Sequence, residues 1–256
     1  MNILALGDIV GNCGINKLKT ELPILKNKYN IDFTIANAEN AAEGMGITVK
    51  NFKDIISAGV NCITMGDHTW GKKEVFQIID EPELLRPINY PKGVCGKGYN
   101  IFQCNNKKIA VINAMGRAEI NVPTENPFLQ IQNLIDKIAK EVDIIILDFH
   151  AEATGEKQAM GYFLDGKITA MYGTHTHIPT ADERIMEKGM GYITDIGMTG
   201  PKHSVLGMDI NVALKRSLTA LPEKYKIATG EAIMNCCIFE IDDITNKVTN
   251  VFRIQK

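Results

Sequence analysis

Asp8, the pair Glu39 and Asn40, the pair Asp67 and His68, His150, and the pair His175 and His177 occupy comparable places in the chain. Each group follows an apolar, strand-like run, over residues 3–7, 33–38, 62–66, 144–149 and 168–173 in turn. Together they offer carboxylate, amide and imidazole donors and no thiolate. That mixture suits Mn, Fe, Zn or Co, and disfavours an iron–sulfur cluster or a purely oxygen-ligated Ca or Mg site. His175 and His177 are two residues apart, so in an extended segment they point to one face, and each can reach a different ion of a close pair. Glu39 can bridge such a pair. Two ions roughly 3.5–4 Å apart hold a shared hydroxide and clamp both oxygens of an in-line phosphoryl displacement. His68 differs from the other three histidines of this set because it adjoins a ligand candidate. An unligated imidazole, with an ordinary pKa of about 6.5, can protonate a leaving alkoxide. The expected chemistry is phosphodiester hydrolysis with His68 as the general acid.

Taken singly, most of these residues have a plainer role open to them. Asp8 could cap the helix after it, Glu39 and Asn40 could belong to a turn, and His150 could be a satisfied, half-buried side chain. Their shared address argues otherwise, because sites in an open parallel sheet form beyond the carboxyl ends of its strands. His203, beside Lys202 after Gly200-Pro201, reads as ordinary surface, and Trp70 and Tyr162 as packing residues. Gly7, Gly11 and Gly14 follow the first strand as in a dinucleotide-binding turn. Their spacing is Gly-x-x-x-Gly-x-x-Gly, however, and Asp8 stands where the pyrophosphate would approach. These glycines are expected to let the backbone pass close to a metal-held phosphate.

The elements that must position these residues alternate through the first two-thirds of the chain. Ile15, Leu18, Leu22 and Leu25 have helical spacing, with Pro23 bending the helix or opening a new first turn. Further helices are expected over residues 49–58, 74–79 and 126–140, and a hairpin around Asn105-Asn106-Lys107. In the last third, short strands over 191–194, 227–229, 233–241 and 248–254 suggest a second sheet with antiparallel pairs packed on the first. Helices outside and two sheets inside give an α/β fold of four layers, an α-β-β-α sandwich. No linker or repeat divides the chain, so residues 1–256 are expected to form one domain.

Composition narrows the function classes. With 256 residues and a formal net charge of -2, the chain has no basic footprint for duplex nucleic acid. No apolar stretch approaches the roughly 20 residues that span a bilayer, and the N-terminus lacks a basic, cleavable leader. A cytoplasmic location is expected, with the six cysteines reduced. Alternation should send Cys236 and Cys237 to opposite faces of a strand.

The segments Gly7-Asp8, Asn37-Ala-Glu39-Asn40, Gly66-Asp67-His68-Thr-Trp70, Asp148-Phe-His150-Ala-Glu-Ala-Thr154, Gly173-Thr-His175-Thr-His177 and residues 194–201 resemble the YmdB-like branch of the calcineurin-type metallophosphoesterases. The likeness covers essentially the whole chain, in family order. It implies the calcineurin-like four-layer sandwich, two transition-metal ions (Fe or Mn, with Zn possible), a homo-oligomer, and phosphodiesterase activity on 2′,3′-cyclic nucleotides. It also implies that Asp8, Glu39, Asn40 and His177 hold one ion, that Glu39, Asp67, His150 and His175 hold the other, and that His68 donates the proton. One position departs from the pattern: the family has Asn where this chain has Asp67. Asp keeps the ligand oxygen but loses an amide donor and adds negative charge. This substitution sustains an alternative reading, a metal-bound nucleotide sensor or regulator with weak catalysis.

Overall fold

The structure, a computed structural model, describes residues 1–256. Strand alternation explains its layers. In β1 (Asn2–Leu6), Ile3 and Ala5 face one way and Leu4 and Leu6 the other, and all four are fully buried. A strand buried on both faces must be covered on both. Ile3 and Ala5 join Phe33, Ile35, Val111, Ile146 and Phe239 in a layer between two sheets. Leu4 and Leu6 pack instead beneath helices, with Leu18, Leu22, Leu25 and Ile55. Each such leucine contributes roughly 1.5–3 kcal/mol through burial.

The first sheet runs β2 (Asp8–Ile9), β12 (Met198–Pro201), β13 (Ala232–Ile241), β1, β3 (Phe33–Asn37), β4 (Cys62–Thr64) and β5 (Leu84–Leu85), with β14 (Val248–Gln255) paired to β13. The second runs β10 (Arg184–Ile185), β11 (Gly191–Ile193), β9 (Ala170–Thr174), β8 (Ile144–His150), β7 (Lys107–Met115) and β6 (Tyr99–Cys104). β1, β3, β4 and β5 are parallel, as are β7, β8, β9 and β11. Helices α1 (Gly11–Lys28) and α2 (Val49–Ser57) cover the first sheet. Helices α3 (Pro127–Ile138) and α4 (Thr154–Leu164) cover the second, burying Ile131, Leu134, Ile135, Met160 and Leu164. The four-layer sandwich is therefore present.

Its strands are distributed differently from the sequence expectation. The C-terminal strands β12, β13 and β14 extend the first sheet, with β13 antiparallel to β1, while the second sheet begins at the β6–β7 hairpin. Residues 227–229 form no strand, only an isolated bridge between Ile227 and Met208. The expected helix over 74–79 is a single 3₁₀ segment, Lys73–Gln77, and α1 continues through Pro23 rather than restarting there. The hairpin is as expected: Asn105 and Asn106 have φ of 48° or so, at 47° and 62°, the two left-handed residues of a type I′ turn. Cys236 faces the helix layer and Cys237 the layer between the sheets, on opposite faces. The sequence expectations passed over α4 and also α5 (Ile210–Thr219), which Asp209 caps through the N–H groups of Asn211 and Val212.

Candidate metal centre

Where the parallel strands end, the layer between the sheets turns from apolar to polar. Asn37, Thr64, Asn113, Asp148 and Thr174 are all fully buried there, and the predicted site residues stand just beyond them. Asp8 opens β2, Glu39 and Asn40 follow β3, Asp67 and His68 follow β4, His150 ends β8, and His175 and His177 follow β9. The structure thus brings all eight to one rim, across both sheets.

The geometry is tight around one half. Ligand atoms of Glu39, Asp67, His150 and His175 all lie within 4.8 Å of one another. His150 Nε2 is 2.9 Å from Asp67 Oδ1 and 2.9 Å from His175 Nδ1, and 3.4 Å from Glu39 Oε1. Ligand atoms about 2.0–2.2 Å from a common ion stand about 3 Å apart. In the other half, Asn40 Nδ2 is 3.2 Å from both Glu39 Oε1 and His177 Nε2. Asp8 accepts the His175 N–H through Oδ2 at 3.0 Å, while its Oδ1 is buried with no hydrogen-bond partner. An orphaned, fully buried carboxylate oxygen beside two ring nitrogens is what a cation would satisfy. The donor set and this orphan both fit metal ions.

The imidazoles are held with their free nitrogens toward the centre. The Thr174 hydroxyl donates to Asp148 Oδ1 at 2.7 Å, so its oxygen accepts from His150 Nδ1 at 3.0 Å and leaves Nε2 facing inward. His177 Nδ1 donates to the Leu206 carbonyl at 3.0 Å. Glu152 lies 3.0 Å from His175 Nε2, which turns Nδ1 inward. Such partners set the tautomer and orientation of ligating histidines. Thr174→Val should therefore weaken metal affinity roughly 10–100-fold, and should cost about 1–3 kcal/mol of stability through two unpaired buried groups. Metal titration and denaturant unfolding check this, and unchanged affinity would remove the role given to Thr174.

Electrostatics points the same way. Burial opposes ionisation of Glu39, but His150 and His68 outweigh it and hold the carboxyl well below the usual range. Asp67 behaves alike: burial raises its pKa, and the hydrogen bonds from His150 and His175 overcome it. Burial also disfavours the charged form of His150 and His68, yet Glu39 and Asp67 raise both. At Asp8 burial dominates and the pKa is raised. Asp148, buried beneath the site, is pushed up to about 7 by desolvation. Three carboxylates so placed create a demand for positive charge that metal cations would meet.

Two backbone observations explain local sequence. Gly66 adjoins the centre, and a Cβ there would overlap His150 and the Glu39 carboxylate. Gly7 and Gly14 do not serve a phosphate, as the sequence suggested. A Cβ on either would collide with backbone of Gly197 or Thr199, so these glycines admit the segment entering β12 and that strand itself. His175 and His177 have φ of 98° and 65°, in the left-handed region that is strained for such residues by roughly 1–3 kcal/mol each. They are therefore on a tight turn and not an extended segment. Of the residues the sequence left without a role, Asp148 and Glu152 lay inside a recognised motif, whereas Thr174 and Asn37 were signalled only by adjacency. His203 is exposed near Glu231, as expected of surface.

Four layers, with carboxylates and imidazoles converging at one rim, define a calcineurin-like metallophosphoesterase. The chain belongs to the YmdB-like protein family, whose model matches residues 4–254. It is 48% identical over 255 residues to a 2′,3′-cyclic-nucleotide 2′-phosphodiesterase of Bacillus subtilis, covering 99% of this chain and 96% of that protein. A crystal structure of a Mycoplasma pneumoniae protein described as a novel phosphatase superposes with a TM-score of 0.95 at 38% identity, covering 100% of this chain and 93% of that one. A Thermus thermophilus protein of undescribed activity gives a TM-score of 0.94 at 33% identity, covering 100% and 99%.

Proposed function

We propose that the protein hydrolyses small phosphodiesters, with 2′,3′-cyclic nucleotides as the substrate class. The observation that carries this reading is the convergence of Glu39, Asp67, His150 and His175 within 4.8 Å, with His68 beside them. Asp8, Glu39, Asn40 and His177 would hold one ion, and Glu39, Asp67, His150 and His175 the other. Fe and Mn suit these donors best, and Zn is tolerated. Bound ions supply an activated water and positive charge for the phosphoryl oxygens. The chain's own residues do the rest. Asn40 Oδ1 accepts from His68 Nδ1 at 2.9 Å, which fixes the ring and leaves Nε2 to carry the proton for the departing ribose alkoxide. That carbonyl oxygen has two lone pairs, so the same atom can also serve a metal.

Metal analysis paired with a 2′,3′-cyclic nucleotide assay on one sample tests the reading. Two ions per chain, with turnover lost to a chelator and restored by Mn, are expected. Two ions without turnover would favour the sensing role.

Asp67 sits 3.6 Å from His68 Nε2 through Oδ2, where its charge faces the incoming phosphate. A like-charge contact at about 4 Å is worth up to roughly 4 kcal/mol at an effective dielectric near 20, before metal ions offset most of it. Asp67→Asn should therefore raise kcat/KM about tenfold, or roughly 1.4 kcal/mol, and weaken metal binding. If both stay at the parent's values, the role assigned to this carboxylate is wrong.

The same reading includes a cytoplasmic location and a homo-oligomer. All six cysteines are free, and no helix is long and apolar enough to cross a membrane. Ile210, Leu214 and Leu218 form an exposed stripe along α5, an apolar surface of the kind that marks protein contacts. Sedimentation of the parent chain against Leu214→Lys would show whether it joins copies.

A further inference from the structure

Lys157 and Asp195 make an ion pair with almost no solvent around it. The Nζ–Oδ2 distance is 2.6 Å, and the two side chains are each 1% exposed. Lys157 comes from α4, on the outer face of the second sheet, and Asp195 from the segment between β11 and β12. A buried pair of this kind gives little net stability against an apolar replacement, so its presence asks for another reason.

Its surroundings supply one. Asp195 Oδ2 also accepts the N–H of Thr176 at 3.2 Å, and Oδ1 accepts that of Gly197 at 2.8 Å. Thr176 lies between His175 and His177, the two left-handed residues. Next to them, Ile196 donates its N–H to the Gly173 carbonyl at 3.0 Å. Gly173 has no room for a side chain, because a Cβ would meet the Thr194 carbonyl and the Lys157 stem. The carboxylate of Asp195 therefore reaches the middle of a strained turn, and Lys157 fixes the carboxylate from behind.

We propose that Lys157 and Asp195 are positioning residues that hold the turn carrying His175 and His177 in its metal-binding shape, so that one ion pair governs the affinity of both ion sites. The proposal rests on reading these two histidines as ligands. Without Lys157, the buried carboxylate would draw in water or a proton, the bond to Thr176 would slacken, and the turn would relax toward ordinary backbone angles.

Lys157→Met tests this, with Ile135→Ala as a comparably destabilised control in the α3 packing layer. Two quantities are read: Mn affinity by calorimetry, and amide hydrogen exchange over residues 174–178 of the metal-free protein. Lys157→Met should weaken Mn binding at both sites by about 10–100-fold and raise exchange in the turn at least about tenfold, while Ile135→Ala changes neither. Unaltered affinity in folded Lys157→Met overturns the proposal, whether or not exchange rises. Equal losses in Ile135→Ala overturn it too, since general loosening would then suffice. Should Lys157→Met not fold, the Lys157→Met/Asp195→Asn double variant buries no charge and carries the same two measurements. His175→Ala and His177→Ala separate the layers of the argument. If either still binds two ions, the ligand reading has failed and the proposal falls with it, even where the exchange result stands.

Discussion

His68→Ala should lower kcat on a 2′,3′-cyclic nucleotide by about 10²–10⁴-fold and leave metal content unchanged. The asymmetry follows from where the ring sits. It contacts Asn40 Oδ1 at 2.9 Å and Glu39 Oε1 at 3.3 Å through Nδ1, so it borders the donor cluster, and its side chain is 32% exposed. A ligating histidine here would be buried like His150. A ribose alkoxide is a poor leaving group and needs a proton, whereas a nitrophenolate departs without one. The loss should accordingly shrink to a few-fold on bis-p-nitrophenyl phosphate, a contrast steady-state assays of both substrates would reveal. Equal losses on the two substrates would mean that His68 acts on binding and not on proton transfer. Reduced metal content would make it a ligand.

The second large effect comes from a residue with no functional group. Gly66→Ala should abolish turnover and weaken metal binding by at least about 100-fold, with the fold intact. Gly66 does not have a positive φ, so its backbone accepts alanine without strain. Only the space is forbidden, since the new methyl would overlap His150 and the Glu39 carboxylate. Those two side chains are buried between rigid strands and cannot step aside without leaving the centre. Gly155→Ala is the control, because nothing lies within 4 Å of the Cβ there. A Gly66→Ala protein that binds Mn as tightly as the parent would show that Glu39 and His150 do not share an ion.

The site was more legible in the sequence than the sheets were. Strand ends attract chemistry in parallel α/β folds, and an apolar run followed by Asp, Glu or His is a local signal, so the eight rim residues could be gathered without knowing how the strands pair. Pairing itself is non-local. Nothing in the alternation of β13 says that it lies against β1, more than 200 positions away in sequence, and its turn-rich neighbourhood suggested a separate antiparallel sheet. Gly7 and Gly14 were misread for the same reason, as the backbone they accommodate arrives from residues 197 and 199. Lys157 gave no signal at all. A lysine on a helix normally reads as surface, and only the structure shows this one buried against Asp195.

The order of strands in the first sheet also has a meaning in time. All seven proposed metal donors have been synthesised by residue 177, yet β1, which leads into Asp8, is flanked on one side by residues 232–241. Until that late strand leaves the ribosome, β1 presents an open edge and β12 has no neighbour to bring it beside Asp8. Pairings of such long sequence separation form slowly. A nascent chain thus carries every ligand before it has a site, and metal capture waits for the C-terminal end.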